Sequence, residues 1–173
     1  MADSRLSHVD GSGTARMVDV GDKPVTRRRA VARAVVRMQP ATGEEIRSQT
    51  IRKGDVLTVA RIAGIQAAKR TDALIPLCHS LPLETVDIEF TWLDPGSLEI
   101  RSTAVTSAKT GVEMEALTAA AVAGLTVYDM AKAMDRAMRI ESVELVEKSG
   151  GRSGHYVRDP QMQVGDAGAT DAT

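Results

Sequence analysis

The sequence has little cysteine, few aromatic residues and almost no net charge, and each shortage excludes a class of protein. A single cysteine, Cys78, permits no intramolecular disulfide and so excludes a disulfide-stapled fold. Aromatic residues make up 2% of the chain, too few for a platform on which bases stack. The 22 basic and 23 acidic residues leave a formal net charge of -1, which provides no overall field to attract nucleic acid or anionic lipid. We therefore expect no nucleic-acid partner.

Long apolar runs are also absent from the sequence. Residues 1–14 are polar, whereas a secretory signal needs an apolar stretch of roughly 7–15 residues after a basic start. No uncharged run approaches the roughly 20 residues that are needed to span a bilayer. Together with the lone cysteine, these absences predict a cytoplasmic protein without a membrane segment.

The length and hydrophobic content of the chain suit a single domain. Its 173 residues, of which 43% are hydrophobic, can fill one core of ordinary size. Residues 1–14 and 159–173 are rich in small and polar residues and carry few large apolar side chains that could order them. We predict one domain over residues 15–158 between two flexible tails.

Alternating apolar and polar residues predict an antiparallel hairpin over residues 85–108. The turn of this hairpin falls at residues 94–97, where aspartate, proline, glycine and serine supply turn chemistry. β-Branched residues predict a first strand over residues 30–38 and a last strand over residues 138–148. A short helix or turn is expected over residues 42–49.

Two longer helices are predicted between these strands. The first spans residues 56–70 with Asp55 as its N-cap, and its face of small residues suits close packing, including packing at a subunit interface. The second begins at a capping box formed by Thr110 and Glu113 and runs to about Ala133. Its apolar stripe is expected to consist of Leu117, Ala121, Leu125 and Tyr128.

The predicted order of elements is strand, helix, two strands, helix, strand. This order matches a ferredoxin-like α+β domain, in which helices pack on one face of an antiparallel sheet. Because that fold supports many functions, the function has to be inferred from particular residues.

Two short segments could hold a small ligand. Residues 76–82 place Cys78 and His79 in a proline-bounded loop, although a buried, hydrogen-bonded connector would have the same sequence pattern. Residues 148–154 combine glycines, hydroxyl groups and two cations that could wrap a phosphate, and a plain glycine turn is the alternative. One cysteine provides no zinc-ligand pattern, so we expect no metal site.

Several charged residues also have an ordinary structural explanation. Glu113 and Glu115 lie at a predicted helix start, where carboxylates interact favourably with the helix dipole. Asp129 and Lys132 are three residues apart on a helix and could form a surface ion pair. Lys53 is less easily explained, because it precedes a predicted helix N-terminus, where a cation is electrostatically disfavoured.

Taken together, seven segments resemble the cyclic pyranopterin monophosphate synthase family, and the resemblance covers roughly residues 8–157. The segments occur in the order and with the spacing of the family, which makes the resemblance more specific than any single motif. They are Met17-Val18-Asp19-Val20, Lys53-Gly54-Asp55, residues 60–71, residues 74–79, residues 109–120, residues 128–133 and Lys148-Ser149-Gly150-Gly151.

This resemblance implies a lyase of molybdenum-cofactor biosynthesis. Its substrate would be a cyclised GTP intermediate, a 3′,8-cyclo-dihydroguanosine triphosphate, and its products would be cyclic pyranopterin monophosphate and pyrophosphate. No redox cofactor is implied, and magnesium can accompany the triphosphate. The family also implies a homo-hexamer, built as a trimer of dimers, with active sites at subunit interfaces.

The resemblance also implies roles for individual residues. Asp129 would be the catalytic acid–base group, with Lys53 and Lys132 as its cationic partners. We expect clustered cations to lower one another's pKa, so that a lysine can exchange protons near neutral pH. The implied substrate-binding residues are Leu77, Cys78, His79, Glu113, Met114 and Glu115, together with Arg28, Lys69 and Lys148 as contacts to the triphosphate.

Two other classes of protein are compatible with parts of this sequence. A non-catalytic nucleotide- or pterin-binding module would keep the phosphate loop without needing Lys53, Asp129 and Lys132 together, and all three are present. A ferredoxin-like RNA-binding domain would expose aromatic residues on its sheet. Phe90 and Trp92 instead alternate into the predicted apolar face of their strand, which disfavours RNA binding.

Overall fold

The structure is a computed structural model, and it describes residues 13–152 and 154–159. The predicted tails, residues 1–14 and 159–173, fall almost wholly outside these residues. The division of the chain into one domain and two tails therefore stays a prediction.

Nine elements follow one another along the described chain, and their order contains the predicted series of strands and helices. The first strand of the hairpin ends at Asp94 and the second begins at Ser97, so the turn lies where it was predicted. The elements are β1 Thr26–Arg37, α1 Pro40–Arg47, α2 Val56–Ala68, α3 Thr71–Leu74, β2 Leu83–Asp94, β3 Ser97–Ala108, α4 Glu113–Ala131, β4 Arg139–Ser149 and β5 Tyr156–Val157.

The five strands form one antiparallel sheet in the order β2-β3-β1-β4-β5. Helices α2 and α4 pack against each other and against one face of this sheet. The first four strands thus have the neighbours expected of a ferredoxin-like fold, and β5 extends the edge beyond β4. The predicted α+β, ferredoxin-like class is confirmed. None of the described helices combines the length and hydropathy needed to cross a bilayer.

Helix α2 begins where the sequence indicates. The Asp55 carboxylate accepts a hydrogen bond from the Thr58 amide at 3.0 Å and so satisfies one of the free amide groups of the first turn. The carboxylate of Asp55 consequently has a pKa below its usual range, chiefly because of its hydrogen bonds to the Thr58 side chain and backbone. The predicted N-cap is confirmed.

The buried stripe of α4 differs from the predicted one. Leu125 was expected in the core, yet 57% of its surface is exposed. Small residues face the sheet instead, and they let the helix axis approach the alanine-rich centre of β1. The predicted stripe of Leu117, Ala121, Leu125 and Tyr128 is therefore wrong at Leu125, whereas Leu117 and Tyr128 are partly buried against the core. The hydrophobic residues of the helix with no exposed surface are Ala116, Ala119, Ala120, Ala123, Val127 and Ala131.

The small-residue face of α2 is also used inside the fold. Ala60, Gly64, Ala67 and Ala68 are buried within the single chain. A Cβ atom built on Gly64 would clash with the Cδ1 atom of Ile88 and lie 2.9 Å from the backbone oxygen of Ala119 in α4. This face therefore joins α2 to α4 and the sheet, and the expectation that it serves a subunit interface is corrected.

We expect Gly64→Ala to lower the free energy of unfolding by about 1–3 kcal/mol, because α2 and α4 would have to separate. Gly124→Ala is the matched control, since its added Cβ would meet only the Ile140 and Val36 side chains, at 3.3 Å or more. Urea unfolding at one fixed protein concentration measures both variants. Equal stabilities of the two variants would contradict this account of the helix contact.

The aromatic residues of the hairpin pack on the helix side of the sheet. Phe90 and Trp92 are partly buried against the core. The guanidinium group of Arg47 lies 3.9 Å from the ring centroid of Trp92 and covers it. These rings therefore form no exposed stacking platform, in agreement with the sequence argument against RNA binding.

The opposite face of the sheet carries ion pairs. Arginines at every fourth position of β1 alternate with its buried alanines, so they point away from α2 and α4. Each arginine reaches a glutamate of β4 on the neighbouring strand. The pairs are Arg29 with Glu147, Arg33 with Glu144 and Arg37 with Glu141.

Candidate active site

The three residues predicted to be catalytic meet at the carboxyl end of α4. The Lys132 Nζ atom lies 2.7 Å from Asp129 Oδ1. The Lys53 Nζ atom donates to the backbone oxygen of Asp129 at 2.7 Å and lies 3.4 Å from its Oδ2 atom. One carboxylate thus bridges two ammonium groups that come from different parts of the chain.

The position of Lys53 is explained by the end of α4 rather than by the start of α2. Its ammonium group reaches the last turn of α4, where unpaired carbonyl groups and the helix dipole favour a cation. Gly54, which has a φ of 98°, turns the chain between Lys53 and the Asp55 cap. Lys53, whose position the neighbouring sequence does not explain, therefore occupies a favourable place in the fold.

The charges of this cluster reinforce one another. Hydrogen bonds from Lys132 and then Lys53 hold the pKa of the Asp129 carboxyl below its usual range. The Asp129 carboxylate in turn raises the pKa of Lys132. The expectation that clustered cations lower the pKa is thus wrong for Lys132, because its nearest charged partner within the chain is a carboxylate.

A cationic cavity of 460 Å³ lies at the other end of α4, where β1 begins and β4 ends. It contains the predicted phosphate contacts Arg28 and Lys148, as well as Glu113. Arg152, the second cation of the predicted phosphate-wrapping segment 148–154, lines it too. Three further cations that the sequence analysis did not assign also line it: Lys23, Arg29 and Lys109. Among these, Lys109 opens one of the segments that carry the family resemblance, which is the signal that could have identified it.

The cations of this cavity are held by the surrounding backbone. Arg28 donates from Nε to the Ala108 oxygen at 3.1 Å and from Nη2 to the Lys109 oxygen at 3.2 Å. Gly150 and Gly151 have positive φ angles, and a Cβ on either would clash with the backbone of Arg27 or the guanidinium of Arg28. The glycines are therefore required for the loop to pack against these arginines.

Glu113 does not form the predicted capping box with Thr110. Helix α4 has Val112 at its N-cap and no side-chain capping hydrogen bond. The Glu113 Oε1 atom instead accepts a hydrogen bond from Lys148 Nζ at 2.8 Å. The capping prediction is wrong because a lysine from β4, distant in sequence, competes for the carboxylate.

A second cavity, of 300 Å³, adjoins the cationic one. Both are lined by Thr110, Gly111 and Glu113, so they share one wall. The remaining predicted substrate contacts, with the exception of Lys69, line this second cavity: Leu77, Cys78, His79, Met114 and Glu115. Lys69 lines a smaller cavity of 140 Å³ that also contains His79 and Glu115.

The loop with Cys78 and His79 is partly structural. The His79 Nε2 atom lies 2.9 Å from the Val18 oxygen, so the ring anchors the segment that precedes β1. Burial, followed by the nearby charges of Glu115 and Asp72, raises the pKa of the Cys78 thiol. Cys78 is therefore held as a thiol and is poorly suited to act as a nucleophile.

Glu115 is a buried carboxyl group at the junction of the second and third cavities. Only 4% of its surface is exposed. Burial above all, and then the charges of Glu113 and Asp72, raises its pKa to about 7. A carboxyl group whose pKa lies near neutrality inside a cavity is a common feature of functional sites.

The raised pKa of Glu115 predicts a pH-dependent stability difference. In the unfolded chain this carboxyl has its usual pKa of 4.5, whereas in the folded chain its pKa is about 7. The buried charge therefore opposes folding increasingly as the pH rises through this window. We expect Glu115→Gln to be as stable as the parent protein near pH 4.5 and more stable by up to about 3 kcal/mol at pH 8. Urea unfolding at both pH values tests this, and a pH-independent difference would contradict it.

The two parts of the candidate site lie at opposite ends of α4. Glu113 and Asp129 are separated by 16 helical residues, or about 24 Å along the axis. The Asp129 cluster therefore does not face the cavities at the amino end of the same helix. Within the described residues, no group of three or more histidine, cysteine, aspartate or glutamate side chains could hold a metal ion.

The fold and these clusters define a small α+β protein with the charged groups needed to bind a phosphorylated ligand. The sequence model of the MoaC family matches residues 17–151. This match covers more than half of the chain, which therefore belongs to the MoaC family.

Named relatives support the same assignment. A protein of Nostoc sp. (strain PCC 7120) named cyclic pyranopterin monophosphate synthase is 57% identical over 155 residues, which are 88% of this chain and 92% of that protein. A protein of the same name from Heliobacterium modesticaldum is 58% identical over 156 residues, which are 89% of this chain and 98% of that protein. Cyclic pyranopterin monophosphate synthase 3 of Mycobacterium tuberculosis (strain H37Rv) is 55% identical over 170 residues, which are 98% and 96% of the two chains. The family resemblance inferred from the sequence is confirmed.

Proposed function

We propose that this chain catalyses the reaction for which its relatives are named, the conversion of a cyclised GTP intermediate to cyclic pyranopterin monophosphate with release of pyrophosphate. The observation that carries the proposal is the cluster of Lys53, Asp129 and Lys132. Lys53 and Asp129 are 76 residues apart in sequence, yet their side chains lie within hydrogen-bond distance. A non-catalytic binding module would have no need for this arrangement.

The two adjoining cavities suit the two halves of such a substrate. The cationic cavity, with Arg28, Lys109 and Lys148, supplies charges and donors for a triphosphate. The second cavity, with Leu77, Leu81 and Met114, supplies apolar walls for a heterocycle. A nucleotide would thus place its phosphates and its ring on either side of the shared wall.

The catalytic cluster contributes charge and proton transfer. Lys132 stays protonated beside Asp129, so it can donate a proton to the rearranging ring or stabilise negative charge on the departing pyrophosphate. Lys53 adds a second ammonium group, and the Asp129 carboxylate orients both lysines. Closure of the cyclic phosphate forms one P–O bond and breaks the bond to the pyrophosphate leaving group.

An assembly with shared active sites follows from the length of α4. Because about 24 Å separates the Asp129 cluster from Glu113 along the helix, one substrate is expected to touch the cavities of one subunit and the lysines of another. A homo-hexamer built as a trimer of dimers provides such pairs of opposed ends. The exposed apolar side chains of Ile62 and Leu125 on the helix layer are available for these contacts.

The proposed reaction requires no redox cofactor, since rearrangement and cyclisation leave the overall oxidation state unchanged. Magnesium would enter with the triphosphate, as a counter-ion of the substrate. A cytoplasmic location is proposed on the single cysteine of the sequence.

The test is to supply the purified protein with the cyclised intermediate and to follow pterin product and pyrophosphate by mass spectrometry. We expect both products to form in equal amounts without NAD, flavin or an iron–sulfur cluster. Binding of the intermediate without turnover would instead favour the non-catalytic module.

A further inference from the structure

The turn that follows α4 carries Lys132 and contains one buried side chain. Lys132 comes directly after the helix, and residues 132–137 lead toward β4. Asp135 is 2% exposed, whereas the other side chains of residues 132–137 are exposed. The ion pair of Lys132 with Asp129 lies at the surface, where such a pair contributes only about 0–1 kcal/mol. Asp135 is therefore the side chain that anchors this turn.

The Asp135 carboxylate fastens the turn to the start of α1. Its Oδ2 atom accepts a hydrogen bond from the Gln39 amide at 2.8 Å, and its Oδ1 atom accepts one from the Ala137 amide at 3.0 Å. The Gln39 side chain and the Thr42 hydroxyl approach the same two oxygens at 3.4 and 3.5 Å. Gln39 lies just after the end of β1, the central strand, so Asp135 ties the turn to the middle of the sheet.

Only a carboxylate satisfies this arrangement, because every one of the four partners is a donor. An asparagine of the same shape would place its NH₂ group against the amide of either Gln39 or Ala137. One buried hydrogen bond would then be lost, and two donors would face each other away from water. Asp135→Asn should therefore loosen the turn without changing its volume.

We propose that Asp135 is a positioning residue for Lys132: by fastening the turn to the start of α1, it holds the Lys132 ammonium group beside the Asp129 carboxylate. The inference rests on the proposed function, in which Lys132 transfers a proton or stabilises charge. Misplacement of a reacting group by about 1 Å can lower a rate about 100-fold. Asp135 acts only through Lys132, because both of its oxygens are occupied by Gln39, Thr42 and Ala137.

The first experiment measures kcat and KM of Asp135→Asn with the cyclised intermediate. We expect kcat to fall about 10- to 100-fold. KM should stay within about threefold, because the proposed phosphate contacts lie at the other end of α4. In the Lys132→Ala background, Asp135→Asn should lower kcat no further, since the group that it positions is gone.

Asp94→Asn is the matched control. Asp94 also holds a turn, between β2 and β3, by accepting hydrogen bonds from the Gly96 amide at 2.8 Å and the Ser97 hydroxyl at 2.5 Å. That turn carries no proposed catalytic group. Asp94→Asn should therefore keep the kcat of the parent protein.

Gln39→Pro disrupts the same contact from its other side. Gln39 has a φ of -65°, which suits the ring of proline, and its amide hydrogen is donated to Asp135. This variant leaves Asp135 in place and removes its closest donor. It should lower kcat by a factor similar to that of Asp135→Asn, and circular dichroism establishes that each variant is folded.

A readout that needs no turnover is the rate at which acetic anhydride modifies Lys132, followed by mass spectrometry at pH 8. The hydrogen bond to Asp129 raises the pKa of Lys132 in the parent protein. Loosening this pair in Asp135→Asn should increase the fraction of neutral amine and speed the modification about twofold or more. Lys69, which is exposed at the end of α2, should react at an unchanged rate and is the internal reference.

Parent-like kcat in Asp135→Asn, an equal loss in Asp94→Asn, a further loss in the Lys132→Ala background or an unchanged acetylation rate of Lys132 would overturn the inference. Failure of both Asp135→Asn and Gln39→Pro to fold would also overturn it, because Asp135 would then be required for the fold rather than for the position of Lys132. If the acetylation rate rises as expected but the parent protein does not convert the intermediate, the proposed function fails and the positioning of Lys132 by Asp135 stands.

Discussion

Replacing Lys53 or Lys132 by alanine should lower turnover of the cyclised intermediate by about 100-fold or more, because each removes an ammonium group that transfers a proton or stabilises charge in the transition state. Asp129→Asn should have a similar effect, since it removes the carboxylate that bridges both lysines. The double lysine variant should be little worse than either single variant, because groups that act in one transition state lose activity non-additively.

Two arginines provide matched controls for these lysines. Arg52 and Arg136 are exposed cations next to Lys53 and near Lys132, and neither lines the site. Arg52→Ala and Arg136→Ala should retain nearly full turnover. Steady-state rates with pyrophosphate detection measure all variants, and circular dichroism establishes their folding. Near-normal turnover in Lys53→Ala or Lys132→Ala would falsify the catalytic assignment.

Mixing two inactive variants should restore activity if the active site is shared between subunits. Lys132→Ala keeps the cavities at the amino end of α4 intact, whereas Lys148→Ala keeps the cluster at its carboxyl end. In a mixed dimer, one of the two sites would combine both intact halves. Random co-assembly of equal amounts of the two chains into a hexamer should therefore leave about a quarter of the sites intact and recover about a quarter of the normal activity.

The control for this experiment mixes Lys53→Ala with Lys132→Ala. Both changes lie in the same cluster, so no mixed site would be intact and activity should stay low. Recovery is measured after co-expression of two differently tagged chains and purification through both tags. If both mixtures recover equally, or if neither recovers, the shared site is contradicted.

Local sequence patterns predicted the elements well where neighbouring residues decide the structure. The hairpin over residues 85–108 and the Asp55 cap both depend on side chains within a few positions of one another, and both are present. The pattern from Thr110 to Glu113 has the same local character, yet Glu113 pairs with Lys148. Its partner lies 35 residues away, beyond the reach of any local rule.

The choice of the buried face of α4 shows a similar limit. Large apolar residues such as Leu117 and Leu125 indicate a core stripe when a helix is considered alone. The alanines of β1 and α2 leave little space between the layers, so α4 presents its own small residues and Leu125 remains exposed. The distance between the helix layer and the sheet determines which face of α4 is buried, and the sequence of a single helix does not specify that distance.

By itself, the sequence determined the fold class, the family and the residues that are candidates for the site, because alternation, turn chemistry and motif spacing are properties of the chain alone. Only the tertiary structure decided how those candidates are grouped. It joins Lys53 to Asp129, and it separates that cluster from the cavities around Glu115 by the length of α4. It also buries Glu115 and so moves its pKa toward neutrality. Distances between elements and exclusion of water arise only when the chain packs, and the chemistry of this site depends on both.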